Sequence, residues 1–200
     1  MIKKVLCLVG FLMAGQAHAI SYSYTGNFEG DDSRFYTTFG VTTASTVDLT
    51  SWGYAGGTNA AGDTIADGGF DTQLFVFDSS GSLVASNDDG SSVVSASSGL
   101  SWDALLSLSL GIDTYTVVLT QFNNDFISGD PVTGSWSGAG VSNFVDVSGS
   151  QRTSAYAFDI SGDYITDVTG FQVDVPEPAT LALMGLGLAG IGFARKKKQA

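Results

Sequence analysis

Nineteen carboxylates and two arginines, Arg34 and Arg152, stand between residues 20 and 175, with no lysine, histidine or cysteine among them. Those types restrict the chemistry. Ser/His/acid and Cys/His nucleophiles need an imidazole base, Schiff bases need a lysine, and zinc or transition-metal centres draw on His or Cys. Carboxylates alone can bind hard cations or, in pairs, hydrolyse glycosides. Calcium takes about six to eight oxygens and tolerates irregular geometry. The candidate ligands are Asp71, which opens an apolar strand, Asn87, Asp88 and Asp89, which share one turn, and Asp103, at the head of a later strand. Their spacing is not that of an EF-hand loop, and there is no tandem nonapeptide repeat, so calcium is an expectation from composition and pattern. Asn87-Asp88-Asp89-Gly90 also reads as a plain hairpin turn, because Asn, Asp and Gly are what such turns use. Asp71 is different. An acid between Phe70 and a buried strand costs free energy unless it is paired, and with two arginines in the segment a cation or backbone amides must serve.

Aromatic residues suggest a second chemistry. Trp52, Trp102 and Trp136, with Tyr54, Phe122 and Phe126, could form a platform on which sugar rings stack; the same residues also read as filler for a small core. A carboxylate-based glycosidase is the best enzymatic reading. Its acid needs a raised pKa in an enclosed cleft, for which about 150 residues of sandwich leave little room. The expectation is therefore a protein that is not an enzyme.

The elements that must position these residues read as strands. Ala104, Leu106, Leu108 and Leu110 alternate with Leu105, Ser107 and Ser109, and Tyr115, Val117 and Leu119 alternate with Thr114, Thr116, Val118 and Thr120. Similar alternation runs through 35–41, Val47 and Leu49, Tyr156 to Ile160, and Phe171 to Val175, while Leu74-Phe75-Val76-Phe77 is apolar on both faces and reads as a central strand. Clusters of Gly, Ser, Asn and Asp separate the runs as turns. The fold class this predicts is all-β: an antiparallel β-sandwich or jelly roll over residues 20–174. Residues 54–69 and 123–140 read as two long loops, the kind that hold an ion or a partner.

The ends of the chain have another character. Lys3 and Lys4 precede an apolar run from Val5 to Ala14, and Ala17-His18-Ala19 offers small residues to a signal peptidase, so residues 1–19 read as a helical signal peptide cleaved after Ala19. There is no twin-arginine pair, which favours export of the unfolded chain, and Cys7 lacks the context of a lipid-anchor site. Residues 175–200 contain Pro176-Glu177-Pro178, a sixteen-residue apolar stretch from Ala179 to Ala194, and Arg195-Lys196-Lys197-Lys198. As a helix that stretch measures about 24 Å against a hydrocarbon core of about 30 Å, a short transmembrane helix with its basic end held inside. Nineteen acids against two bases leave the middle segment at −17, where the whole chain is −12. Nucleic acid and anionic headgroups are repelled by such a field, and divalent cations relieve it. With no cysteine in that segment, no disulfide can staple it, so a core or bound ions must stabilise it.

The three-part tail resembles the PEP-CTERM sorting signal, with Pro176, Glu177 and Pro178 as the motif. That resemblance implies recognition and removal by an exosortase, transient anchoring in the inner membrane, and delivery to the cell envelope, outer surface or extracellular matrix. Residues 24–124 resemble the pre-peptidase C-terminal β-sandwich in their Gly-rich 54–62 segment, the strand led by Asp71, a hairpin turn at Asp78 to Gly81, the Asn-Asp-Asp ending and the strand from Asp113 to Leu119. That similarity implies an accessory domain without enzymatic activity. Together these readings predict an exported, structural or adhesive, calcium-stabilised domain, the alternative being a carbohydrate-binding module for exopolysaccharide.

Overall fold

Alternation becomes layers in the computed structural model, which describes residues 19–138 and 142–174. Thirteen strands follow in order: β1 (Ile20–Asn27), β2 (Arg34–Val41), β3 (Ser45–Ser51), β4 (Gly57–Thr58), β5 (Thr64–Ile65), β6 (Thr72–Phe77), β7 (Leu83–Asn87), β8 (Leu105–Leu110), β9 (Asp113–Gln121), β10 (Phe126–Ser128), β11 (Ser135–Trp136), β12 (Ala155–Gly162) and β13 (Ile165–Val173). One antiparallel sheet has the order β1-β12-β3-β8 and the other β13-β2-β9-β6-β7. Numbered one to nine along the chain, the long strands run 1-8-3-6 in the first sheet and 9-2-7-4-5 in the second. Successive strands thus keep changing sheets, which is the jelly-roll solution to burying two one-sided sheets against each other.

The period-two pattern fixes which residues face inward. Val47 and Leu49 of β3, Phe158 and Ile160 of β12, and Phe39 and Val117 of the opposite sheet are all buried in one core. Phe28, Phe35, Phe70 and Tyr156 meet ring to ring at one end of it. Leu74 to Phe77 lie on an interior strand, as their apolar character on both faces requires. Their second face is covered because the β10–β11 ribbon folds over it: Phe75, Phe77, Tyr36 and Val118 form a smaller core under Phe126 and Trp136.

Three expectations change. Residues 54–69 are not a plain loop, since β4 and β5 pair there as a two-residue ribbon, and β10 and β11 do the same within 123–140. The strand β1 is an addition to the sequence reading; it pairs with β12 over its whole length. Asn87 to Gly90 are not a hairpin turn, because β7 leads into an irregular crossing to β8 in the other sheet. The hairpin lies at 78–82, where Asp78 Oδ1 accepts from Ser80 N, Ser80 Oγ and Ser82 N. Asp146 repeats that turn with Ser148 and Ser150, so Asp-x-Ser-Gly-Ser builds the same structure twice. Gly81 and Gly149 take φ of +79° and +84° in these turns, which explains glycine at the fourth position.

The expected signal helix, residues 1–19, and the expected short membrane helix within 175–200 lie, Ala19 apart, outside the described residues. Among the described residues no helix is long and apolar enough to cross a membrane.

Candidate functional site

Strand register brings the acids together. β2 begins, and β3, β7, β9 and β13 end, at the pole of the sandwich where β6 starts, with Thr72 opposite Gln121, Leu74 opposite Asn87, and Arg34 opposite Val173. Ser51 and Thr72 join the two sheets there through a 2.5 Å hydroxyl contact. Asp31, Asp71, Asp88, Asp89, Asp103 and Asp146 lie on the loops of this pole.

Similar in sequence, these acids differ in how they are satisfied. Asp31 accepts from the backbone N–H groups of Ser142, Asn143 and Phe144 and from the Ser142 hydroxyl, at 2.7 to 2.8 Å. It pins a remote loop. Asp103 is fully buried and accepts from Ser51 Oγ, Tyr54 N and Ala55 N, so its oxygens serve the turn after β3. Burial pushes its carboxyl up from the usual range, and those amides and the hydroxyl draw it back in part. Asp146 is raised by burial, but the Ser148 and Ser150 donors outweigh that and hold it below the ordinary carboxylate value. Asn87 Oδ1 accepts from Leu105 N, tying β7 to β8. Asp89 is raised by burial and then by Asp88, its neighbour.

Asp71 stands apart. It is 6% exposed, and its Oδ1 has no hydrogen-bond partner among the described residues. Burial, then the charges of Asp89, Asp88, Asp146 and Asp103, push its carboxyl from an ordinary 3.8 up to about 8. Gln121 at the end of β9 is equally buried, and its Oε1 is likewise without a partner among the described residues, while its Nε2 donates to Ser142 Oγ at 3.0 Å. Both residues line a pocket of about 80 Å³ with Phe70, Phe144 and Asp146. Sequence reasoning found Asp71 and missed Gln121, which no motif marks. Among the described residues no group of three or more His, Cys, Asp or Glu side chains is arranged to hold a metal ion.

The three tryptophans take separate places. Trp52 donates from Nε1 to Asp159 on β12 at 2.7 Å, Trp102 packs 5.3 Å from the Tyr54 ring, and Trp136 lies over the five-stranded sheet with Nε1 on Pro131 O. Tyr54 is fully buried, under the Arg152 guanidinium 3.9 Å from its ring centroid. Each of these rings is hydrogen-bonded or packed where it stands. A larger hollow of about 360 Å³ lies on the outer face of the four-stranded sheet, lined by Thr25, Asn27, Thr64, Ile65 and Tyr156 among others, with no carboxylate in its wall.

The fold and site define an all-β sandwich with an acid-rich loop pole. Residues 174–197, directly after β13, match the PEP-CTERM protein-sorting motif, and the chain carries that sorting signal with Pro176, Glu177 and Pro178 inside it. The signal implies export and recognition by an exosortase. The match does not extend to residues 24–124. Among curated proteins none matches the chain.

Proposed function

We propose that this chain is a structural or adhesive module of the cell envelope or extracellular matrix, exported, held briefly at the inner membrane by its tail, and released to its destination by an exosortase. The observation that carries this reading is the sorting motif, which begins at the residue after the last strand, so that the sandwich is the cargo. Its work is non-enzymatic. Among the described residues the pocket beside Asp71 has about 80 Å³, well under the roughly 300 Å³ at which small-molecule sites begin, and the 360 Å³ hollow on the four-stranded sheet has no carboxylate in its wall. The −17 segment gains stability from a divalent cation, calcium being the hard ion that oxygen donors favour.

Comparing hosts with and without the exosortase tests the sorting step. Loss of the enzyme, or Pro176→Ala with Glu177→Ala, strands the chain in the inner membrane; unchanged delivery to the surface or medium contradicts the proposal. The 360 Å³ hollow, polar through Thr25, Asn27 and Thr64, favours a second reading, a carbohydrate-binding module for exopolysaccharide. A glycan array probed with wild type and Asn27→Ala checks it: saccharide binding lost in the variant supports the module, and no binding refutes it.

A further inference from the structure

We propose that the pocket between the start of β6 and the end of β9 is a seat for one calcium-sized divalent cation, held by Asp71 Oδ1 and Gln121 Oε1 with water completing the shell. The inference rests on the calcium reading above and replaces its expected ligand set of Asp71, Asn87, Asp88, Asp89 and Asp103 by a narrower one. Asp71 and Gln121 line the same small space, and each carries one buried oxygen, an acceptor, without a donor among the described residues. A buried acceptor left unmade costs about 1 to 3 kcal/mol, and more when charged, so such atoms mark a missing positive partner. Gln121 is held in the needed orientation: its Nε2 donates to Ser142 Oγ, which itself donates to Asp31 Oδ1 at 2.8 Å. The amide nitrogen being committed, the amide oxygen is left for the pocket.

The surroundings favour an ion over a hydrogen-bond donor. Asp88 and Asp89 after β7, Asp103 before β8, and Asp146 in its turn all put negative potential on Asp71. Arg152 is engaged by Asp67 at 3.3 Å and by the Gly69 and Tyr54 carbonyls. Asp103 and Asp146 already accept from amides and hydroxyls, so they contribute field and not ligands. The pocket's roughly 80 Å³ takes an ion and about two waters at about 30 Å³ each beside the two protein oxygens.

The experiment is calcium titration of the full chain in detergent micelles, by calorimetry and thermal melt, with magnesium and sodium chloride at matched ionic strength as controls. Wild type is expected to bind one calcium with a raised melting temperature. Asp71→Asn, nearly isosteric and therefore able to fold, loses the binding and the melt shift; Gln121→Leu weakens both; Asp78→Asn at the opposite pole leaves both intact. If wild type shows no specific calcium response, the calcium reading itself fails. If wild type responds but Asp71→Asn responds equally, calcium stabilises the protein elsewhere and this seat is refuted.

Discussion

In chelator, the protein loses stability as the pH rises from 6 to 8, and Asp71→Asn abolishes most of that loss. The carboxyl of Asp71 is held near 8 in the folded chain against an ordinary 3.8. An acid with a raised folded pKa contributes fully below the unfolded value; that contribution is lost as the pH climbs toward the folded value, because only the unfolded chain can ionise in between. Each full unit in this window is worth about 1.4 kcal/mol, and with the slope flattening as the folded value is reached the loss from pH 6 to 8 is about 2.3 kcal/mol. Against a typical domain stability of about 5 to 15 kcal/mol that is a large share. With a urea m-value of about 2 kcal/mol/M the midpoint falls by roughly 1 M. No cysteine or histidine lies in residues 20–175, and His18 is common to both proteins, so the comparison isolates Asp71. The assay is urea unfolding of wild type and Asp71→Asn at pH 6, 7 and 8 in EDTA. A wild-type midpoint that stays flat or rises, or a variant that falls in parallel, refutes the burial argument.

Other expectations follow from the same geometry. Arg152 donates to Gly69 O, Tyr54 O, Ser97 Oγ and Asp67 Oδ1, so Arg152→Met costs about 3 to 5 kcal/mol by leaving those acceptors unmade; a loss under about 1 kcal/mol in urea contradicts this. Asp31→Ala removes the acceptor for four donors and is expected to cost about 3 kcal/mol, with faster amide hydrogen exchange at Ser142 to Phe144. A Cβ at Gly69 runs into the Ala155 and Gly53 carbonyls, so Gly69→Ala lowers the melting temperature more than Gly149→Ala, which meets nothing and bears only the strain of its φ of +84°. Equal losses at the two glycines weigh against the close approach at Gly69.

Much of the fold was legible because an inward face repeats every second residue. Tyr115, Val117 and Leu119, or Tyr156, Phe158 and Ile160, could point one way only in a half-buried strand. The β1 segment escaped although Ile20, Tyr22 and Tyr24 alternate, because it directly follows the expected cleavage site. The two-residue ribbons β4–β5 and β10–β11 have no period to read. Strand order was beyond reach, since pairings such as Ile20 with Gly162 join residues distant along the chain. At the acidic pole the sequence separated Asp71 from its neighbours by its apolar context. It could not separate Asp31 and Asp103, which are quieted by amides of remote segments that nothing local announces. Gln121 looked like any polar residue at a strand end until the register set it opposite Thr72, one residue from Asp71.

The central claim is that the sandwich is cargo for a sorting system, and the C-terminus of the delivered protein tests it most directly. Intact-mass spectrometry of the protein recovered from the envelope surface or the medium is predicted to show a chain that begins after Ala19 and has lost the apolar stretch and basic run that follow Pro178. A surface or secreted protein whose mass extends through Ala200 would contradict the account.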